Sequence, residues 1–120
     1  MVFAAKAKET SRVRPMPQSR WPIVATSISG IAPETWRAFK ARADARGMTD
    51  REAMEAAILE LAEAVRAGED VAWPHTRKAP LHTLRTHEAV KARLREIVDE
   101  TGLKQSVVVL AALRRWMAKD

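Results

Sequence analysis

Apolar residues follow two kinds of pattern along the chain, and the patterns occur twice in the same order. Ile23–Ser29 is rich in β-branched and small residues and ends at Gly30, which predicts a short β-strand. A helix is predicted from about Pro33 to Arg46, because proline suits the first helical position and Gly47 suits a left-handed residue that ends a helix.

A second helix is predicted to begin at a capping box. Thr49 and Glu52 have the spacing at which each side chain accepts a bond from the other residue's backbone N–H. Apolar residues then recur at helical spacing until Gly68: Met54, Ala57, Ile58, Leu61, Ala62 and Val65.

The same order returns after a linker over residues 68–80 that contains Pro74 and Pro80. Leu81–Arg85 has the length of a strand, and Thr86 is predicted to cap the helix that follows and ends at Gly102. That helix carries Val90, Leu94, Ile97 and Val98 on one face. A last helix, about Lys104 to Lys119, carries Val109, Ala112, Leu113, Trp116 and Met117.

The two halves form an internal repeat. Gly47 and Gly102 lie 55 residues apart, and the same shift keeps every apolar stripe position apolar. Any two amphipathic helix pairs align somewhere, but here a strand also recurs ahead of each pair. One unit of roughly 45 residues has too small a core to stand alone, and its strand has no neighbour.

We therefore predict a mainly α fold in which two units share one core beneath a single two-stranded antiparallel β-ribbon. The first unit spans residues 23–67, the linker 68–80 and the second unit 81–120.

Composition narrows the class of protein. The chain has 120 residues, 21 Lys and Arg against 15 Asp and Glu, and no Cys, which excludes disulfides and thiolate chemistry and suits a reducing cytoplasm. No apolar run reaches the roughly 18 residues of a membrane span, and no secretory signal is evident. Residues 1–22 are predicted to be a flexible basic arm, or alternatively a solvated tail. The net charge of +6 favours an acidic partner, nucleic acid first.

The order of elements in each unit resembles that of the ribbon-helix-helix family of bacterial DNA-binding proteins. It consists of a strand, a helix, a glycine turn and a second helix that begins with a small polar residue. The resemblance covers roughly residues 22–118. In the first unit it rests on Ile23–Ser29, Phe39, Ala43 and Gly47-Met48-Thr49; in the second it rests on Leu81–Arg85, Leu94, Val98 and Gly102-Leu103-Lys104.

Most members of that family are homodimers of one unit, whereas this chain resembles a fused pair, a single-chain pseudo-dimer expected to be a monomer in solution. The tandem form is similar to the Vir C-operon accessory proteins of T-DNA transfer on tumour-inducing plasmids. That similarity implies binding to double-stranded DNA at borders, with other DNA-processing or transfer proteins as partners. The chain departs from the family in two places. In the second unit Lys104 holds the helix-capping position that Thr49 holds in the first unit, and the first strand is nearly uncharged.

A β-ribbon fits the major groove, where its outward side chains meet base edges. With Leu84 inward in one strand and Val24 and Ile28 inward in the other, alternation defines an outward set. Its members are Arg85, Thr83, Leu81, Ala25, Ser27 and Ser29. A slip of one residue would expose Thr26 instead. Arg85 is the foremost candidate, because a guanidinium binds guanine with two hydrogen bonds; the alternative is a surface Arg paired with an acid.

Phosphate contacts are predicted at the start of the helix after each glycine turn, where unsatisfied N–H groups and the helix dipole attract anions. These positions are Met48 and Thr49 in the first unit, and Lys104, Gln105 and Ser106 in the second. Arg20, Arg77 and Lys78 precede the strands and are predicted to contact flanking phosphates.

Other functions find less support in the sequence. The chain has no Tyr, no Gly-rich phosphate loop and no Ser–His–acid grouping, so we expect no enzyme and no cofactor. His75, His82 and His87 lack a carboxylate partner in a metal-binding frame, so no metal is expected. A transcriptional repressor or antitoxin-type regulator of the same family remains an alternative. A protein-binding adaptor is another, with Trp21 and Trp73 either closing the core or anchoring a partner.

Overall fold

The computed structural model of the chain describes residues 22–119. Its elements are β1 (Ile23–Ile28), α1 (Pro33–Ala45), α2 (Asp50–Arg66), β2 (His82–His87), α3 (Glu88–Thr101) and α4 (Gln105–Ala118). The two strands form one antiparallel sheet. The predicted class, mainly helical with a two-stranded antiparallel sheet, is confirmed, while the predicted arm lies outside the described residues except for Pro22.

Local sequence signals set the helix ends as expected. Gly47 and Gly102 adopt left-handed φ angles of 70° and 72° after α1 and α3. At the start of α2 the capping box is present: the Glu52 N–H donates to Thr49 Oγ1 at 3.1 Å, and the Thr49 N–H donates to Glu52 Oε1 at 2.8 Å. These bonds satisfy donors that the helix itself leaves without partners.

The prediction that Thr86 caps α3 is wrong. Thr86 lies inside β2, pairs with Val24 and is only 4% exposed, and the residue at the N-cap is His87. The strand continues to His87 because Glu55 of α2 holds it there. The Glu55 carboxylate accepts from the His87 backbone N–H at 2.6 Å and lies 2.7 Å from its Nδ1.

One hydrophobic core contains residues from all six elements. The inner face of the sheet contributes Ile28 and Leu84, and the strands contact α2 and α3. The largest fully buried side chains are Ile31, Ile58, Leu61, Leu94, Leu113, Val108 and Val109. Residues before and after the linker therefore share the same apolar interior.

A second set of contacts joins α1 to the end of α4. Arg46 donates from Nη1 to the Trp116 carbonyl at 2.9 Å, and its guanidinium lies 4.2 Å from the centre of the Trp116 ring. Phe39 meets the same ring edge-on at 5.3 Å. The Arg46 bond supplies a donor to a carbonyl in the last turn of α4, where a helix leaves its carbonyls without intrahelical partners.

The linker, residues 68–80, crosses the surface without helix or strand. Trp73 is half-buried and packs against the core, which favours the core-closing role considered for it; Trp21 lies outside the described residues. No helix among residues 22–119 is both long and apolar enough to cross a membrane.

Candidate nucleic-acid interface

The outer face of the ribbon carries the residues that alternation predicts. Ala25 and Ser27 are exposed in β1, as are Thr83 and Arg85 in β2, whereas Thr26 is buried. The predicted faces are confirmed, and the slipped register is excluded. Ser29 and Leu81 are also exposed, but both lie just outside the strands, next to the Ile28–His82 pair.

The register decides which outward side chains are neighbours. Arg85 lies opposite Ala25, and Thr83 lies opposite Ser27. The long guanidinium side chain therefore stands beside a single methyl group. Among residues 22–119 no carboxylate forms an ion pair with Arg85, so the alternative of a surface Arg paired with an acid finds no partner there.

At one end of the ribbon, the start of α4 forms an open cationic concavity of about 350 Å³, here called the α4 concavity. Its lining residues are Ser29, Gly30, Thr76, Arg77, Lys78, Ala79, Lys104 and Ser106. The first turn of α4 carries no acid, and no side chain of the described residues caps it. Its N–H groups and three cationic side chains thus face one concave surface, which suits an anion.

Gly30 creates the turn that brings the linker to this end. Its φ is 96°, and a Cβ built on it would lie 3.1 Å from the Cβ of Thr76. Its carbonyl accepts a bond from the Arg77 N–H at 3.1 Å. A glycine is required here both for its backbone angle and for the close approach of the linker.

The start of α2 differs from the start of α4 in its backbone donors. The Met48 N–H donates to the Ala43 carbonyl at 2.9 Å, and the Thr49 N–H is held in the capping box. That bond from Thr49 is the main reason why the pKa of Glu52 lies below its usual value. Two of the donors predicted to hold a phosphate therefore already have partners inside the protein. Asp50 adds negative charge, offset by an ion pair with Lys40 at 3.4 Å.

Three cations that the sequence reasoning missed lie beside the start of α2. The start of α2, α1 and β2 enclose a concavity of about 470 Å³, here called the α2 concavity. Arg37, Lys40 and Arg51 line it together with Arg85. The spacing of Arg37 and Lys40 places them one turn apart on α1, but only the packing of α1 against β2 directs them towards the ribbon.

The three histidines do not converge. His82 stacks on Trp36 with ring centres 3.9 Å apart, His87 contacts Glu55, and His75 is exposed in the linker. Within the part of the chain that the structure describes, no group of three His, Asp or Glu residues is arranged to hold a metal ion.

His82 is expected to make stability depend on pH. Partial desolvation of its imidazole, which stacks on Trp36, lowers the pKa of His82 below 6.5, with the Asp50 carboxylate opposing that shift. The unfolded chain then binds the proton more tightly than the folded one. This contribution to stability is complete above the unfolded pKa and is lost as pH falls through that value towards the folded pKa.

Urea midpoints measured at pH 7.5 and pH 5.5 test this expectation. His82→Phe retains an aromatic ring on Trp36 without a titrating group and should reduce the difference between the two midpoints. The same substitution at exposed His75 is the matched control. An unchanged difference in His82→Phe would contradict the assignment.

Comparisons of the chain with protein-family models, with curated proteins and with solved structures find no match.

Proposed function

We propose that this chain binds double-stranded DNA by inserting its β-ribbon into the major groove, as two fused ribbon-helix-helix units that share one core. The observation that carries the proposal is the pairing of β1 with β2, which presents Arg85 on an outer ribbon face, with no ion pair to an acid among residues 22–119. Strand–helix–helix order on both sides of the linker supports the pseudo-dimer.

The dimensions of the ribbon suit the groove. Two paired strands lie about 4.8 Å apart, and the major groove is about 12 Å wide, which leaves room for side chains on the base edges. Arg85 is placed to donate two bonds to a guanine, while Thr83 and Ser27 can exchange single bonds with bases. Ala25 offers a methyl for contact with thymine, and Leu81 and Ser29 flank the ladder.

One set of phosphate contacts lies at the α4 concavity in this proposal. Lys104, Arg77 and Lys78 supply charge, and the backbone of Gln105 and Ser106 supplies N–H donors at the start of α4. On the other side Arg51 takes the role predicted for the backbone of Met48 and Thr49, since those N–H groups have internal partners. Arg20 lies outside the described residues.

We further propose that DNA binding serves an accessory role in plasmid or T-DNA border processing and transfer. The fused pair of units supports this role through its similarity to the tandem accessory proteins of T-DNA transfer. Trp73 packs half-buried against the core, which weakens its role as a partner anchor in the adaptor alternative.

Replacing Arg85 tests the proposal at the ribbon. Arg85→Ala is expected to weaken binding to a selected duplex by about 1–3 kcal/mol, the free energy of a bidentate pair with guanine. Binding to unrelated duplexes should weaken less. Fluorescence anisotropy titrations of labelled duplexes at low salt measure both affinities.

Arg114→Ala is the matched control, because it removes the same charge from an exposed site near the other end of α4. Equal losses on selected and unrelated duplexes would make Arg85 a phosphate contact only. A wild-type chain that binds no duplex at low salt would overturn the proposed function.

A further inference from the structure

The two halves do not repeat with one spacing. Gly47 and Gly102, which end the first helix of each half, lie 55 residues apart. In both strands, however, the residues that face the core have even numbers, such as Ile28 and Leu84. Side chains alternate between the two faces of a strand. A pseudo-two-fold axis that superposes β1 on β2 and keeps core residues on the core face must therefore relate residue numbers by an even difference. A shift of 56 residues superposes Ile28 on Leu84.

The corresponding pseudo-two-fold axis passes through the Ser27–Thr83 pair. It superposes Ser29 of the first half on Arg85 of the second half. The ladder around this pair is unequal: it continues for four pairs to Ile23–His87 and for only one pair to Ile28–His82. Arg85 is therefore held inside the regular ladder. Ser29 lies beyond it, where Gly30 turns the chain. On the other strand Pro80, which precedes Leu81, has no N–H to extend the ladder.

The chemistry of the two ends differs as well. Arg85 can form two hydrogen bonds with guanine, whereas the short hydroxyl of Ser29 accepts or donates one bond and suits several bases. The outward residues of β1 between the ends, Ala25 and Ser27, are equally short. Among the outward ribbon residues that the structure describes, a long side chain able to donate hydrogen bonds to bases thus lies only at the Arg85 end, since Leu81 beside Ser29 is apolar.

Phosphate-binding cations, by contrast, lie beside both concavities: three line the α4 concavity with Ser29 and Gly30, and three line the α2 concavity with Arg85. The backbone donors differ, since the helix that begins at the α2 concavity uses its first N–H groups in a capping box. The two sides therefore differ in the base-reading side chain, while both can contact the phosphate backbone.

We infer that the target of this chain is a non-palindromic duplex, in which one half carries a guanine read by Arg85 and the other half is bound with little base preference. This inference rests on the proposed DNA binding and specifies its substrate. A homodimer of identical units presents the same residues to both halves, whereas a fused chain is free to differ.

Selection of duplexes from a random library by the full 120-residue chain, followed by sequencing, tests the inference. We expect base preference in one half only, and replacing its guanine should weaken binding roughly 5- to 150-fold, the range set by a bidentate contact. Arg85→Ser should abolish that preference. Ser29→Arg should add a guanine preference in the second half and make the selected site closer to a palindrome.

The outcomes separate the inference from the proposed function. A palindromic site selected by the wild-type chain would overturn the inference and leave DNA binding standing. Failure to bind any duplex at low salt would overturn both. Both substituted positions are exposed, and far-UV circular dichroism of each variant verifies that it is folded.

Discussion

Raising the salt concentration from about 50 to 200 mM is expected to weaken duplex binding roughly 500- to 4,000-fold. The estimate assumes that about five to seven phosphates are neutralised, so that log affinity falls with log salt at a slope of about −4.5 to −6. The cations placed for this role are Arg37, Lys40, Arg51, Arg77, Lys78 and Lys104. The cause is the release of counterions that condense on the duplex.

Anisotropy titrations over a salt series measure this slope. Lys104→Ala should make it shallower by about one, since one phosphate contact is lost at the α4 concavity. Arg114→Ala, on the far part of α4, should leave it unchanged. Tight binding that ignores salt would contradict a phosphate-based mode.

Leu61→Ala is expected to lower the free energy of unfolding by about 2–5 kcal/mol, because it removes a fully packed side chain and leaves a cavity. Leu61 is 1% exposed in α2 and belongs to the core that joins all six elements. The whole chain should therefore lose stability in a single transition, even though α2 belongs to the first half.

Urea unfolding followed by tryptophan fluorescence and by far-UV circular dichroism tests this expectation. Leu59→Ala is the matched control, since Leu59 lies in the same helix but is 41% exposed, and it should change stability by less than about 0.5 kcal/mol. Two separate transitions in either variant would mean that the halves have independent cores.

Much of the local structure follows from the sequence. The period of apolar residues predicts all four helices, and the capping pair Thr49 and Glu52 marks the start of α2. Alternation in the strands predicts which side chains point outwards, including Arg85. These features depend on residues within a few positions of one another, which is why the pattern alone suffices.

Other features arise only when distant residues meet. Thr86 has the composition of a cap, yet it lies in β2 because Val24 pairs with it and Glu55 holds its neighbour His87. Local propensity is outweighed here by a ladder partner and a carboxylate far away in the chain. For the same reason Arg37 and Lys40 carry no local sign that they lie beside the ribbon.

The sequence by itself therefore determined the elements, their order and the outward position of Arg85. Only the tertiary structure decided the register that sets Arg85 opposite Ala25 and the meeting of Arg77, Lys78 and Lys104 around Ser29. The physical reason is that strand pairing and helix packing are long-range contacts. Their geometry depends on how the whole core closes, whereas periodicity and capping are settled within a few residues of chain.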